Sequence, residues 1–386
     1  MLELKGGGGK LLIELDKKMY INMKGKFPEV SNHPVINSII DGNNRGCIYV
    51  DSLFDTKTAL FWAKQEMCFL VGNHINFALN DSLNEWVQEV LKPEAQKINE
   101  TFFQVQGVPE EKWKAIIEEK FQHQYIKKYN RYIFNFNMGR YNQFKILERK
   151  TLEGFKIRRI DKMLLEIDQD NILQDEIGKF WESYDQFIKK GVGFCIMNGN
   201  KVISTCISAF VSGRNFEVSI NTYNPKYRKK GLATLLGKAF IDYCVQNKIT
   251  PHWGTETFRC DSIRVAEKCG FDKLNQYSFY CFAYDEKYNL IFSVCYYLKI
   301  SVNISLAEEL FGKVIDLEGI SSIDYIELAS SWAGVNQKHK AIFCLNKALE
   351  KNFDHLNQLL YDGNFNSLHD TEEWVSIIEE LRERIN

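Results

Sequence analysis

The sequence predicts an α/β chain of the α+β kind: a mixed, mostly antiparallel sheet flanked by helices, followed by an all-helical tail. Three observations predict it. Short apolar runs alternate with capped helical segments up to about residue 290; three strand-like runs joined by Asn198-Gly199 and Ser212-Gly213 form a central meander; and only helical spacing remains from about 291 onward. At 386 residues, with 45% apolar and 13% aromatic content, the chain can bury the cores of two or three domains. The expected division is 1–140, a mixed α/β domain; 141–290, a strand-rich domain; and 291–386, helical.

Composition excludes several functions. Forty-nine basic against fifty acidic side chains leave a net charge of -1, without the global field that drives nonspecific binding to nucleic acid or anionic membrane. Any anion site must therefore be local. Ten cysteines without a CxxC pair read as reduced packing thiols and point to a cytoplasmic location. "MLELKGGGGKLLIEL" lacks the apolar core and cleavage site of a signal peptide, and no apolar run has the length of a membrane span. Gly6 to Gly9 followed by Lys10 lacks the spaced first glycine and following hydroxyl of a nucleotide loop, and reads as a flexible or bulged segment. Seven scattered histidines without HExxH give no metal site.

In chain order, "RGCIYVD" and "MCFLVG" read as buried strands and "DSLNEWVQEVLKPEAQKI" as a capped helix. "TFFQVQG" and "RYIFNFNM" are strands on either side of a helix that opens at Pro109 with an acidic first turn. "GFKIRRID" is a strand, and residues 171–191 read as one helix ending at Gly191. The meander "GFCIM", "KVISTCISAFV", "FEVSINTY" follows, then a helix with Leu232, Leu235, Leu236, Ala239, Phe240 and Tyr243 on one face. "HWGTE" is a strand, "CDSIRVAEKCGF" a short helix, and "YSFYCFAY" a last strand.

The stretch "YNPKYRKKGLATLL" joins a strand to a helix. A diphosphate needs converging backbone N–H donors, and the first turn of a helix supplies them unpaired along with the positive end of its dipole. Gly231 lets that backbone approach an anion, Ala233 keeps the turn uncluttered, Arg228, Lys229 and Lys230 add charge, and Thr234 adds a hydroxyl.

"RKKGLA" (Arg228 to Ala233) matches the R/Q-x-x-G-x-G/A signature of GNAT-type, acetyl-coenzyme A-dependent N-acetyltransferases, and "SIRVAEKCGF" resembles the family's closing helix, which ends in x-K-x-G-F. The chain resembles this family most over 141–285, and extends the resemblance over 40–140 as a bacterial subgroup with an added N-terminal α/β domain, related to zwittermicin-resistance acetyltransferases. The tail resembles a tetratricopeptide unit at Tyr325, Leu328, Ala329, Trp332, Ala341, Leu345 and Ala348, either a helical cap or a groove for a protein partner.

The resemblance implies acetyl-coenzyme A as acyl donor and no metal. Main-chain groups of Asn221, Thr222 and Tyr223 would pair with the pantetheine arm. N–H groups from Lys229, Lys230, Gly231, Leu232, Ala233 and Thr234 would hold the pyrophosphate, with Arg228 beside it and Ser262 near the thioester. The acceptor would be a primary amine on a small molecule, an antibiotic among the candidates. Strand alternation puts Glu217, Ser219 and Asn221 on one face, making Glu217 the first candidate base, with Glu256 as runner-up, directly or through a water. The position where many relatives carry a proton-donating tyrosine is Ala266 here; Tyr277, Tyr280 or Ser262 could substitute, or the thiolate leaves unaided. Cys260 reads as a packing thiol rather than an acyl carrier. The alternative to an enzyme is a degenerate acyl-coenzyme A sensor or scaffold that holds a protein partner through its helices.

Overall fold

The computed structural model describes residues 12–145 and 154–385; the Gly6 to Gly9 tract with Lys10 lies outside them. The strands are β1 (Ile13–Glu14), β2 (Gly46–Val50), β3 (Thr58–Ala63), β4 (Met67–Gly72), β5 (Phe102–Val108), β6 (Lys127–Phe136), β7 (Phe155–Arg159), β8 (Gly193–Asn198), β9 (Lys201–Ser212), β10 (Asn215–Thr222), β11 (Thr250–Glu256) and β12 (Phe271–Ala283). Between them lie the helices α1 (Pro34–Ile40), α2 (Phe77–Trp86), α3 (Lys92–Gln96), α4 (Glu110–Lys120), α5 (Met138–Lys145), α6 (Lys162–Ile167), α7 (Ile172–Phe180), α8 (Tyr184–Lys190), α9 (Leu232–Gln246) and α10 (Cys260–Lys268). The mixed α/β class is as expected.

Among the described residues the strands form one twelve-stranded sheet in the order β1-β2-β3-β4-β5-β12-β6-β11-β10-β9-β8-β7. Each of the first six strands has a counterpart six strands later, at the matching position from the opposite edge. The pairing senses repeat as well: three antiparallel pairs lead to parallel β4–β5 in one half and to parallel β10–β11 in the other. A parallel pair needs a helical crossover, supplied by α2 and α3 in the first half and by α9 in the second. The halves have exchanged their last strands, so β12 lies beside β5 and β6 beside β11.

Strands β2, β3 and β4 are buried at nearly every position, which explains why they read as continuous apolar runs rather than alternating ones. The expected single helix over 171–191 is two. Trp181 is extended and buried, donating its indole N–H to Ser208 O (2.9 Å), and Ser183 caps α8 by accepting from Gln186 N (3.2 Å). The last strand begins at Phe271, six residues before the expected Tyr277, because its first half is mostly polar (Asp272, Lys273, Asn275, Gln276) and the apolar Leu274 there is exposed.

The chain condenses into two units. One holds the described residues up to Phe121 with Lys128–Cys281; the other holds Gln122–Lys127 with the residues from Phe282 onward. The second unit is helical: α11 (Glu286–Lys299), α12 (Ile304–Ile315), α13 (Ser322–Gly334), α14 (Lys338–Glu350), α15 (Leu356–Tyr361) and α16 (Glu372–Ile385). Tyr325, Leu328, Ala329 and Trp332 of α13 and Ala341, Leu345 and Ala348 of α14 are all buried in its core, where small residues let the two helices approach.

Candidate active site

Strands β10 and β11 pair only at their beginnings, Asn215 with Thr250, Phe216 with Pro251 and Glu217 with His252. Beyond that point β10 continues along β9 and β11 along β6, so the sheet splits just after Glu217. A register shift falls at the same place. Glu217 opposes Phe210 and Val218 opposes Ser208, leaving Ala209 as an extra residue in β9. Asn44, from the turn after α1, pins this bulge: its Nδ2 donates to Ala209 O (2.6 Å) and its Oδ1 accepts from Val211 N (2.9 Å). Asn43 Nδ2 donates to Val211 O (2.7 Å).

The split opens a cavity of about 180 Å³. Glu217, Asn221, Glu256 and Ser262 line it, and so do Glu66, Arg131 and Arg259. Glu217 is half-buried, and burial pushes its carboxyl up to about 7; Arg131 opposes that rise, Glu66 adds to it and the Gly254 N–H opposes it. Glu256 stands opposite Arg131 in the β11–β6 pairing and lies 3.8 Å from the Arg259 guanidinium, but its Oε2 makes no hydrogen bond. Glu176 of α7, 1% exposed, accepts from Asn221 Nδ2 (2.6 Å), Ser219 Oγ (3.2 Å) and Lys179 Nζ (2.6 Å), and so fixes the side chains along β10. Ser262 Oγ accepts from Trp253 Nε1 at 3.3 Å.

The cation-rich stretch lies past the end of β10. Gly231 is the N-cap of α9 at φ +79°, with no side chain capping the helix and nothing within 4 Å of the place a Cβ would take. The ladder begins with Leu235 N donating to Gly231 O (3.0 Å), so the N–H groups of Leu232, Ala233 and Thr234 precede it. Lys229 is also left-handed, at φ +59°. Backbone turning this way beside an uncapped helix start is a concave anion seat, and these residues fit a phosphate. Arg228 Nε donates to Thr222 O (3.3 Å), Asn221 O accepts from Ser204 Oγ (2.5 Å) and Tyr223 N donates to Ile203 O (3.2 Å). Lys230 lies 5.6 Å from the Tyr227 ring.

The sequence-derived residues thus fall into two groups. Glu217, Asn221, Glu256 and Ser262 share the cavity, whereas Thr222, Tyr223 and Arg228 to Thr234 do not line it. Of the substitute acids, Ser262 lines the cavity, Tyr277 lies within electrostatic reach of Glu217 and Glu256, and Tyr280 is fully buried with its hydroxyl bonded to Glu118 (3.0 Å). Ala266 is fully buried. Cys260 is the exposed one of ten free cysteines and does not line the cavity. Glu66, Arg131, Glu176 and Arg259 were not expected. Glu66 and Arg131 meet from the β3–β4 turn and β6 across 65 residues of chain, and Glu176 reaches Asn221 of β10 across 45, so no short motif marks these contacts; Arg259 sits three residues after Glu256, a spacing that also reads as an ordinary surface pair.

The chain is similar to known proteins over most of its length. The family model described as GNAT acetyltransferase matches residues 25–280, across both halves of the sheet. The uncharacterized N-acetyltransferase YdfB of Bacillus subtilis (strain 168) is 27% identical over 275 residues, covering 70% of this chain and 98% of that protein. The crystal structure of a GCN5-related N-acetyltransferase-like protein from Streptococcus suis 89/1591 shares the fold at a TM-score of 0.52 and 19% identity, covering 69% of this chain and 99% of that one. The helices beyond residue 280 lie outside the family match. The chain belongs to the GNAT acetyltransferase family and is an N-acetyltransferase of that type.

Proposed function

We propose that the protein transfers the acetyl group of acetyl-coenzyme A to the primary amine of a small molecule. The observation that carries this reading is the split of β10 from β11 just after Glu217, which sets a carboxylate with a pKa near 7 in the cavity on a strand that leads to an uncapped helix N-terminus. Main-chain groups of Asn221 to Tyr223 would receive the pantetheine arm, and the N–H groups of Lys229 to Thr234, with Arg228, the pyrophosphate. Glu217 would take the proton from the attacking amine as the C–N bond forms, and the C–S bond would break to leave a thiolate that Ser262 or solvent protonates. Glu256 is the alternative base.

Functionally, residues 141–290 would bind the coenzyme and do the chemistry. Residues 1–140 would wall the acceptor cavity, as Glu66 and Arg131 do, and 291–386 would form a tetratricopeptide-like surface for a protein partner. An antibiotic acceptor, as in the zwittermicin-resistance relatives the sequence resembles, is the first class to test. No described helix is long and apolar enough to cross a membrane. The acceptor is expected to be a diffusible substrate in the cytoplasm.

The test is a panel of amines, antibiotics and peptides included, offered with acetyl-coenzyme A while released thiol is measured. Thiol release with at least one amine supports the enzyme. Coenzyme binding without turnover on any of them favours the second reading, a sensor, for which Ala266 at the usual proton donor's position is the specific observation.

A further inference from the structure

The cavity's two halves of chemistry come from two halves of the sheet. Glu217 stands on β10, whereas Glu66 stands in the turn between β3 and β4 and Arg131 on β6. That turn is firmly held. Gln65 is left-handed at φ +64° and its N–H meets the Glu100 carboxylate, which also accepts from Trp62 Nε1 (3.0 Å); Gln65 Nε2 donates to Ile98 O (2.7 Å) and Glu66 N to Ala63 O (3.1 Å). The Glu66 carboxylate is thereby presented to Arg131 Nη1, with which it forms an ion pair, both side chains being largely shielded from solvent.

Arg131 also faces Glu217. A Cβ built on Gly254 would lie 3.4 Å from Arg131 Nε and 3.4 Å from Glu217 Oε1, so the two stand across the gap left by the missing side chain. Nε itself makes no hydrogen bond. An uncompensated guanidinium there would pair with Glu217 and occupy the lone pair a base must offer.

We propose that Glu66 is a positioning residue of the active site: it engages the Arg131 guanidinium and so keeps the Glu217 carboxylate free to accept the amine's proton. This rests on the reading of Glu217 as the base. The other charged or titratable groups near Glu217 and Arg131 are His252 opposite Glu217 on β11, Glu256 farther along β11, Arg259 beyond it, Tyr277 on β12 and His33 at the start of α1, which lies within electrostatic reach of Arg131 and His252; His252 is already bonded to Asn215 Oδ1 (2.9 Å). None of them pairs with Arg131 as Glu66 does.

The test is a carboxyl-carbon NMR titration of the full chain labelled in glutamate, with the Glu217 resonance assigned by its loss in Glu217→Gln. In Glu66→Gln the Glu217 midpoint should fall by about one pH unit or more, because Arg131 is released onto it. In Arg131→Gln the midpoint should rise, and in the double variant Glu66→Gln/Arg131→Gln it should stay near the Arg131→Gln value, because Glu66 acts through Arg131; a double-variant shift equal to the sum of the two single shifts would mean two independent charges and overturn the proposal. Shifts of the same sign in both single variants, as loosened packing would give, or no shift in either, would overturn the proposal. The two single variants also guard against one failing to fold. The base reading is judged separately: amine acetylation that survives Glu217→Gln sinks that reading, whatever the titration shows.

Discussion

The two halves of the sheet follow one strand plan, yet their parallel pairs end differently. In the first half β4 and β5 pair from Cys68–Val105 to Val71–Val108, up to their carboxyl ends; in the second, β10 and β11 part after Glu217–His252. The β3–β4 ladder runs from Thr58–Gly72 to Ala63–Met67 without a break, whereas β9–β10 is shifted at Glu217. The helices differ too. Asn76 caps α2 with its own side chain, accepting from Leu79 N (3.3 Å), while α9 starts at Gly231 with no such cap. Strand plan alone therefore does not set the two halves apart. They differ in where the parallel pair stops, where the bulge falls, and whether the next helix satisfies its own N–H groups.

Four substitutions bear on this contrast. The largest effect is expected at the carboxylate that β4 lacks. Glu217→Gln should lower kcat by about 10²–10⁴-fold with acetyl-coenzyme A affinity unchanged. In the native enzyme the rate should rise about tenfold per pH unit up to the Glu217 pKa near 7 and then level off, since only the ionised carboxylate takes the proton; the variant's profile should lose that limb. Next, Gly231→Glu puts a carboxylate at the anion seat and a side chain at φ +79°, and calorimetry should show coenzyme affinity weakened at least about 100-fold in a folded protein. Unchanged affinity would erase the distinction between the two helix starts.

Smaller effects test the scaffold. Asn44→Leu strips the partners from Ala209 O and Val211 N, and urea denaturation should show a loss of about 2–4 kcal/mol. The same variant should lower kcat more than it raises KM for the coenzyme, because the bulge aims Glu217. Asn76→Ala removes the cap of α2 and should cost about 1 kcal/mol without altering coenzyme affinity, since that helix start serves the fold alone. A change in affinity there would give the first half a share in the site.

Much of this was legible in the residues. The meander, the helix at Leu232 and the short helix at Cys260 follow from local periodicity and turn chemistry, and Gly231 followed from the need for uncluttered backbone. Glu217 was singled out by strand alternation together with the family resemblance, and Glu256 as the end of the strand "HWGTE"; both line the cavity. Strand β3, "TALFWA", was not read out, although it is an apolar run buried on both faces like β2 and β4, which were. The strand exchange, and with it Glu66 and Arg131, was illegible for a physical reason: β6 meets β11 across more than a hundred residues of chain, and pairings that distant leave no local trace. Asn44 resembled any turn asparagine until its bonds to β9 were seen.

The exchange of β6 and β12 also orders events on the ribosome. When β5 and β6 emerge, neither can close the sheet: β6 must wait for β11 on one side, and both must wait for β12, which ends at Ala283, to slot between them. The nascent first half is therefore a sheet with an open edge, exposed to other chains for as long as the second half takes to be made. A message truncated before the codon for Phe271 would release a product that lacks the strand joining its halves, with the edges of β5 and β6 left unpaired where β12 belongs.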